Sequence, residues 1–463
     1  MNLVQDPIPR LIRQIALPAS IGFFFNTMYN IVDTFFAGLL STDALAALAA
    51  SFPIFFIIIA LGSGIGQGAT ALMANAVGGG EPEKAHRISL QAVSFSLLFS
   101  VVLTGFGLWS APHLFRFLGA EERYLALALD YMNTILVGTL FFLLQSSLNA
   151  TLNALGDTRT FRNVLMVGSL LNVALDPWFM FGGLGLPAMG IRGIALATVL
   201  IQVGGTFYLL YKVRHTRIWQ GWRWAWLKPN RTLYRDIAAQ GFPASLNMLT
   251  VALGIFVITW FIGRFSKEGV AAYGIATRIE QIFLLPTIGL NIAMLSLAGQ
   301  NNGAGRFDRI REAYRTSMAY GLGMMLLAGV VVFLAGGRMM AWFTSDNVVV
   351  GIGAGYLRVA SITLCSYVIL FQTVYLLQGL KKPIYGLWVG IYRQLVAPCL
   401  VFWLLAFQLD WRLPGIWWGI FLVTWSAALF MLWFGGWKLR HLEQSAGTPA
   451  IGNRKRAEMR RSR

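Results

Sequence analysis

Apolar residues run along this chain in long blocks separated by short polar stretches, without the strict alternation of a half-buried strand. A bilayer core about 30 Å thick takes a helix of about 20 apolar residues. That ruler predicts spans near 14–40, 48–77, 88–110, 126–154, 161–182 and 190–213, then a polar, Trp-rich connector over 214–237. Six more spans follow near 238–263, 271–300, 313–335, 350–378, 384–407 and 415–438, and the basic tail 441–463 reads as disordered. The first block is too long for a signal-peptide core and lacks a clean small-residue cleavage site, so it is expected to be a retained span. The expected fold is an all-α integral membrane protein of twelve transmembrane helices.

The two halves repeat. Shifted by 225 residues, Leu17-Pro18-Ala19-Ser20 falls on Phe242-Pro243-Ala244-Ser245, and Asp43-Ala44-Leu45-Ala46-Ala47 on Glu268-Gly269-Val270-Ala271-Ala272. The same shift pairs Gly78 with Gly303 and Tyr131 with Tyr356, and slightly different offsets pair Gly156 with Gly379 and Thr198 with Thr424. A shift of six spans keeps both halves in one orientation, a parallel repeat of the kind secondary transporters use. The expected organisation is an N-lobe over 1–213, a cytoplasmic connector over 214–237 and a C-lobe over 238–440. The substrate site is expected between the lobes.

Composition supports this picture and excludes others. Of 463 residues, 57% are hydrophobic and 12% charged, against about 25% charged in soluble domains. The formal charge of +18 would suggest a nucleic-acid partner in a soluble protein, but its distribution gives another meaning. Of the 37 Lys and Arg, the odd-numbered loops hold only Arg116, Arg123, Arg192, Arg264, Lys267, Arg338 and Arg412. Most others flank the N-terminus, the even-numbered loops and the tail, which places both termini in the cytoplasm of an inner-membrane protein with lipids as neighbours. No nucleic-acid partner is expected, and the chain is expected to act as a monomer. Cys365 and Cys399 sit in apolar stretches and read as packing residues. The four histidines have no metal spacing, and Gly78-Gly79-Gly80-Glu81-Pro82-Glu83-Lys84 lacks the Gly-Lys-Ser/Thr of a phosphate-binding loop. The protein is expected not to be an enzyme and to need no cofactor.

Ionisable groups inside spans are costly and are functional candidates. Asn26, Tyr29, Asn30 and Asp33 follow one helical face of the first span. Asn172 and Asp176 share a face of the fifth, followed by Pro177, and Pro18 offers the first span a bend point. Gln145, Asn149 and Asn153 recur at four-residue spacing in the fourth span, with Thr198 and Gln202 in the sixth. Lipid solvates none of these groups, so they are expected to face one another or a wet cavity. The same 225 shift puts Ile258 opposite Asp33, so the acidic pair belongs to one half only. The second half carries Arg278, Glu280, Arg358 and Arg393 within spans, with Glu280 expected to pair with Arg393 or Arg358 or to act as a second coupling or substrate acid.

These residues resemble a known family. Pro18 with Tyr29-Asn30-Ile31-Val32-Asp33-Thr34, Leu155-Gly156-Asp157-Thr158-Arg159, Asn172 with Asp176-Pro177, and Gly193-Ile194-Ala195-Leu196-Ala197-Thr198 are similar to the multidrug and toxic compound extrusion (MATE) transporters, in their DinF-like branch. The resemblance covers residues 10–440 and implies two pseudo-symmetric six-helix lobes that export amphipathic or cationic compounds in exchange for H+ or Na+. It implies a cation or proton site at Asp33, Asn172, Asp176 and Thr198, with Tyr29, Asn149 and Asn153 as neighbours. That branch of the family with an acid in the seventh span is not matched, leaving Glu280 as the only C-lobe substitute. Two carboxylates in one small site cannot both ionise cheaply, which suits proton uptake and release, while carboxylate, amide and hydroxyl oxygens also suit sodium. The other class considered is a flippase for lipid-linked precursors, for which Arg278, Arg358 and Arg393 would line a cationic cavity.

Overall fold

The computed structural model describes residues 1–117, 119, 122–183, 185–219 and 224–447; the tail beyond 447 lies outside them. All twelve expected spans are helices. They are α1 (Ile8–Leu40), α2 (Thr42–Gly78), α3 (Pro82–Phe117), α4 (Glu122–Ala154), α5 (Arg159–Phe181) and α6 (Ile191–Arg214) in the first half. The second half holds α7 (Arg231–Gly263), α8 (Lys267–Gly303), α9 (Phe307–Ala341), α10 (Asn347–Gly379), α11 (Ile384–Gln408) and α12 (Arg412–Gly447). Several run a turn or more past their apolar blocks, because polar residues such as Arg231–Asp236 continue the helix beyond the hydrocarbon. Caps repeat along with the sequence: Ser41 Oγ accepts from Ala44 N at the start of α2, and Ser266 Oγ from Gly269 N at the start of α8. Only α11 departs from regular geometry, with π-helical segments at Tyr392–Val396 and Trp403–Gln408 flanking Pro398.

The described parts of the connector, on either side of 220–223, dock on α3. Gln91 on α3 donates to the carbonyls of Trp226 and Lys228, Ser94 donates to the Leu227 carbonyl at 2.7 Å, and the buried Trp219 indole donates to Ser89 at 2.8 Å.

Two apolar cores, one per half, form the pseudo-symmetric lobes. The first turns of α1 cross over: Leu3, Ile8, Leu11, Ile12, Ile15 and Ala16 are buried in the core built by α7–α12. The halves meet at the face that carries the N-terminus. There Asn75 donates to the Gly379 carbonyl at 2.8 Å, Gln300 to the Ala154 carbonyl at 2.6 Å, and Asn302 to Asn75 at 2.6 Å. Arg309 and Asn301 hold the Leu3 carbonyl, Arg309 also takes that of Asp6, and Met1 and Leu3 close over Gly156. The seam runs up to the helix prolines, where Ser20 donates to the Pro286 carbonyl at 3.1 Å and Ser245 to the Leu61 carbonyl at 3.4 Å. Pro18 is buried just below the first of these crossings.

Such contact between lobes requires backbones to approach closely. A Cβ on Gly78 would overlap the Gln300 carbonyl, and one on Gly303 the Asn75 carbonyl. These two glycines are repeat partners, and each is fitted against the other lobe. Overpacking of this kind costs about 1–3 kcal/mol. Gly78→Ala is therefore expected to shift the protein toward separation of the lobes at this face. Spin labels at positions 81 and 308 should then report a longer distance; a distribution identical to that of the parent protein would show that the seam does not set lobe closure.

Candidate functional site

In the N-lobe, α1 and α5 each bring one carboxylate to a common point. Asn172 Nδ2 donates to Asp33 Oδ1 at 2.9 Å and to Asp176 Oδ1 at 2.8 Å, so a single amide bridges the two acids. The i, i+4 spacing of Asn172 and Asp176 stacks them on one face of α5, and Asp33 meets them because α1 and α5 pack side by side. Asp33 is 7% exposed, Asp176 and Asn172 are fully buried, and Thr198 on α6 is 2% exposed. Tyr29, one turn before Asp33, also belongs to the cluster, in electrostatic contact with both acids and beside Thr198. Asp176 Oδ2 and Asn172 Oδ1 are buried without a hydrogen-bond partner, and the buried Tyr29 and Thr198 hydroxyls have only each other within reach. Buried polar atoms are rarely left unpaired, so this cluster has spare oxygen ligands and acceptors for a small cation or a proton.

Several expected members fall elsewhere. Asn26 and Asn30 are exposed, and Asn30 donates to the Asn26 carbonyl of its own helix at 2.8 Å. Tyr131 on α4 is in electrostatic contact with Asp33 and Asp176. Asn149 is 18 residues further along α4, about 27 Å at 1.5 Å per residue. Asn149 and Asn153 therefore sit toward the closed seam, away from the acids. Gln145 donates to the Gln202 carbonyl at 2.9 Å, which fixes α4 to α6 instead of lining the acid cluster. The sequence reading overlooked Tyr131 as a site residue, although the repeat had already paired it with Tyr356.

The C-lobe has its own polar cluster, built differently. Glu280 on α8 is 6% exposed, and its Oε2 accepts from the Tyr356 hydroxyl at 2.7 Å. It lines a cavity of about 150 Å³ together with Tyr273, Tyr367, Arg393 and Thr424. Ile258 lies in the same wall, so the counterpart of Asp33 faces this cavity. The expected ion pairs do not form: Arg278 and Arg358 are exposed, and among the described residues Arg393 makes no salt bridge to Glu280 but lies 5.5 Å from the Tyr367 ring centre. Helical faces two residues apart carry Arg278 away from Glu280, and only Arg393 of the three arginines reaches the cavity.

Two related bundles of six apolar helices, closed on each other at one face and holding buried polar clusters within each lobe, define a multi-pass membrane transporter. The MatE family model matches residues 18–178 and again residues 243–403, offset by the same 225 residues as the internal repeat, and the chain belongs to that family. It is accordingly a transporter, not an enzyme. Among curated proteins it is similar to the probable multidrug resistance protein YoeA of Bacillus subtilis, 28% identical over 71% of each chain. It is also similar to a FAD transporter of Shewanella oneidensis, 28% identical over 85% of this chain and 87% of that one. Of solved structures, a MATE protein in its bent conformation superposes with a TM-score of 0.90 at 26% identity, covering 96% of this chain and 98% of the other. A MOP-superfamily transporter from Pyrococcus furiosus superposes with a TM-score of 0.87 at 25% identity, over 95% and 98%.

Among the described residues Asn172 is the side chain that donates to both acids, and loss of one partner of a buried charged hydrogen bond costs about 1–3 kcal/mol. Asn172→Ala is expected to lower the unfolding temperature in detergent, and the deficit should widen as pH rises and both carboxylates ionise against each other. A pH-independent deficit would mean that the amide serves packing alone.

Proposed function

We propose that this protein is a secondary active exporter of amphipathic or cationic small molecules, driven by inward movement of H+ or Na+ through the N-lobe acid cluster. The observation that carries this reading is the Asp33–Asn172–Asp176 bridge, two buried acids on different helices joined by one amide and surrounded by unpartnered oxygens. A neutral residue would hold the helices together at lower cost, so a pair of acids in this position argues for an ion that comes and goes. Protonation of a carboxylate, or capture of a sodium ion by Asp33, Asp176, Asn172 and Thr198, changes what Asn172 can donate to, and so changes how α1 sits on α5. Pro18 gives α1 a weakened point at which such a change can become a bend.

The lobes, 1–213 and 238–440, would then rock about the seam at the N-terminal face. With both termini in the cytoplasm of the inner membrane, as the Lys and Arg distribution favours, the present conformation is closed to the inside and faces outward. A structure of an outward-facing multidrug resistance MATE transporter, with a TM-score of 0.88, supports that reading. The energetics are adequate. One proton crossing a 100 mV potential yields about 2.3 kcal/mol, and one pH unit about 1.4 kcal/mol more, enough for a substrate gradient of a few hundredfold.

The deciding experiment is ethidium efflux from vesicles with a proton gradient and a sodium gradient imposed separately. One gradient is expected to drive efflux and the other not, and Asp33→Asn, which keeps size and polarity, should abolish it while expression and folding persist. Full efflux by Asp33→Asn would remove the acid cluster from the mechanism.

A further inference from the structure

We propose that the C-lobe cavity is a ligand site in its own right, and that it takes a compact zwitterion: an ammonium and a carboxylate carried on a small aromatic body. The argument starts with what the cavity leaves unsatisfied. Glu280 is buried, and while Tyr356 occupies Oε2, Oε1 is buried and has no hydrogen-bond partner. An unpaired carboxylate oxygen in such a place calls for a donor. Arg393 lines the same cavity from α11, where the π-helical turn at Tyr392–Val396 sets it. Its guanidinium lies over the Tyr367 ring at 5.5 Å and forms no salt bridge with Glu280. Tyr367 interacts with both charged groups and so stands between them. The two opposite charges thus line one cavity joined only through the Tyr367 hydroxyl, with no direct ion pair between them.

A lone cation would satisfy Glu280 and face Arg393 with like charge, and a lone anion would do the reverse. A molecule with both charges satisfies both walls, the carboxylate on the planar fork of the guanidinium and the ammonium on Oε1. The remaining surface selects an apolar body. Ile258, Leu284, Phe371 and Phe402 line the cavity, and Tyr273, Tyr356 and Trp417 form a ring cluster with centroids 5.0–6.1 Å apart that backs the acid. About 150 Å³ is the size of an engineered cavity that admits benzene, which limits the apolar body to a single ring. This site shares no residue with the N-lobe acid cluster.

The test uses the purified full-length protein in detergent, with no gradient, and three probes of one skeleton. These are phenylalanine, 2-phenylethylamine, which lacks the carboxylate, and 3-phenylpropanoate, which lacks the ammonium. Binding is read from ligand-induced shifts in unfolding temperature. Phenylalanine is expected to bind at least about tenfold more tightly than either probe, since each charged hydrogen bond is worth that much or more. Glu280→Gln should erase the advantage over 3-phenylpropanoate, and Arg393→Gln the advantage over 2-phenylethylamine. Arg358→Gln, a charge change on an exposed residue of the same lobe, should alter neither. Equal binding of all three probes by the parent protein, or none by any, would overturn the proposal even if both cavity variants failed to fold. A preference confined to one singly charged probe would replace it with a simple cation or anion site.

Discussion

A carboxylate inside a bilayer has no water to solvate it, and two on neighbouring helices repel unless something is placed between them. Here that something is one amide group. Asn172 Nδ2 gives a hydrogen bond to each acid, and the two carboxyls also lie within hydrogen-bond reach of each other, so the packing of α1 against α5 depends on how many protons the pair carries. Because the bridge joins a residue of α1 to residues of α5, any change in its charge state is felt as a change in helix position. The first turns of α1 are at the same time buried in the other lobe. One helix therefore touches the acid cluster at one end and the opposing lobe at the other, and its proline lies between.

The two lobes show how far a duplicated frame can diverge without losing its shape. Caps, close-packed glycines and a buried tyrosine recur at the same offset. At the positions that carry charge the frame is reused for different chemistry: Ile258 stands for Asp33, and Gln394 and Pro398, 222 residues on, stand for Asn172 and Asp176. The second lobe brings its acid from α8 instead, and Pro398, which offers no backbone donor, accompanies the π-helical geometry that delivers Arg393 to the cavity.

Much of this was legible in the sequence. Helices that must satisfy their backbone inside lipid announce themselves as apolar blocks, and charged residues inside such blocks stand out, as Asp33 and Asp176 do; Asn172 follows from its shared face with Asp176, and Thr198 joined them through the family resemblance. What failed was height. Helical periodicity says which face a residue occupies but not how far along the axis its neighbours on other helices lie, so Asn149 and Asn153 were grouped with the acids although they lie about 27 Å or more along α4 from Tyr131, the residue of that helix that interacts with them. Tyrosines were missed for another reason. Tyr131, Tyr273, Tyr356 and Tyr367 read as ordinary aromatic bulk until their hydroxyls are seen beside carboxylates. The docking of the connector and of residues 1–6 was equally invisible, since both rest on backbone carbonyls that any sequence supplies.

The hold of Arg309 on the carbonyl of Leu3 has a consequence for the order in which the molecule is made. The ribosome adds about 5–20 residues per second, so the start of the chain waits on the order of 15–60 s for the side chain that will hold it. Through that interval six helices of the first lobe can enter the membrane and pack, yet the first turns of α1 lack the core that buries them. Assembly of the first lobe is therefore completed by the second, and a nascent chain interrupted before α8 would leave its first residues exposed as a mark of unfinished synthesis.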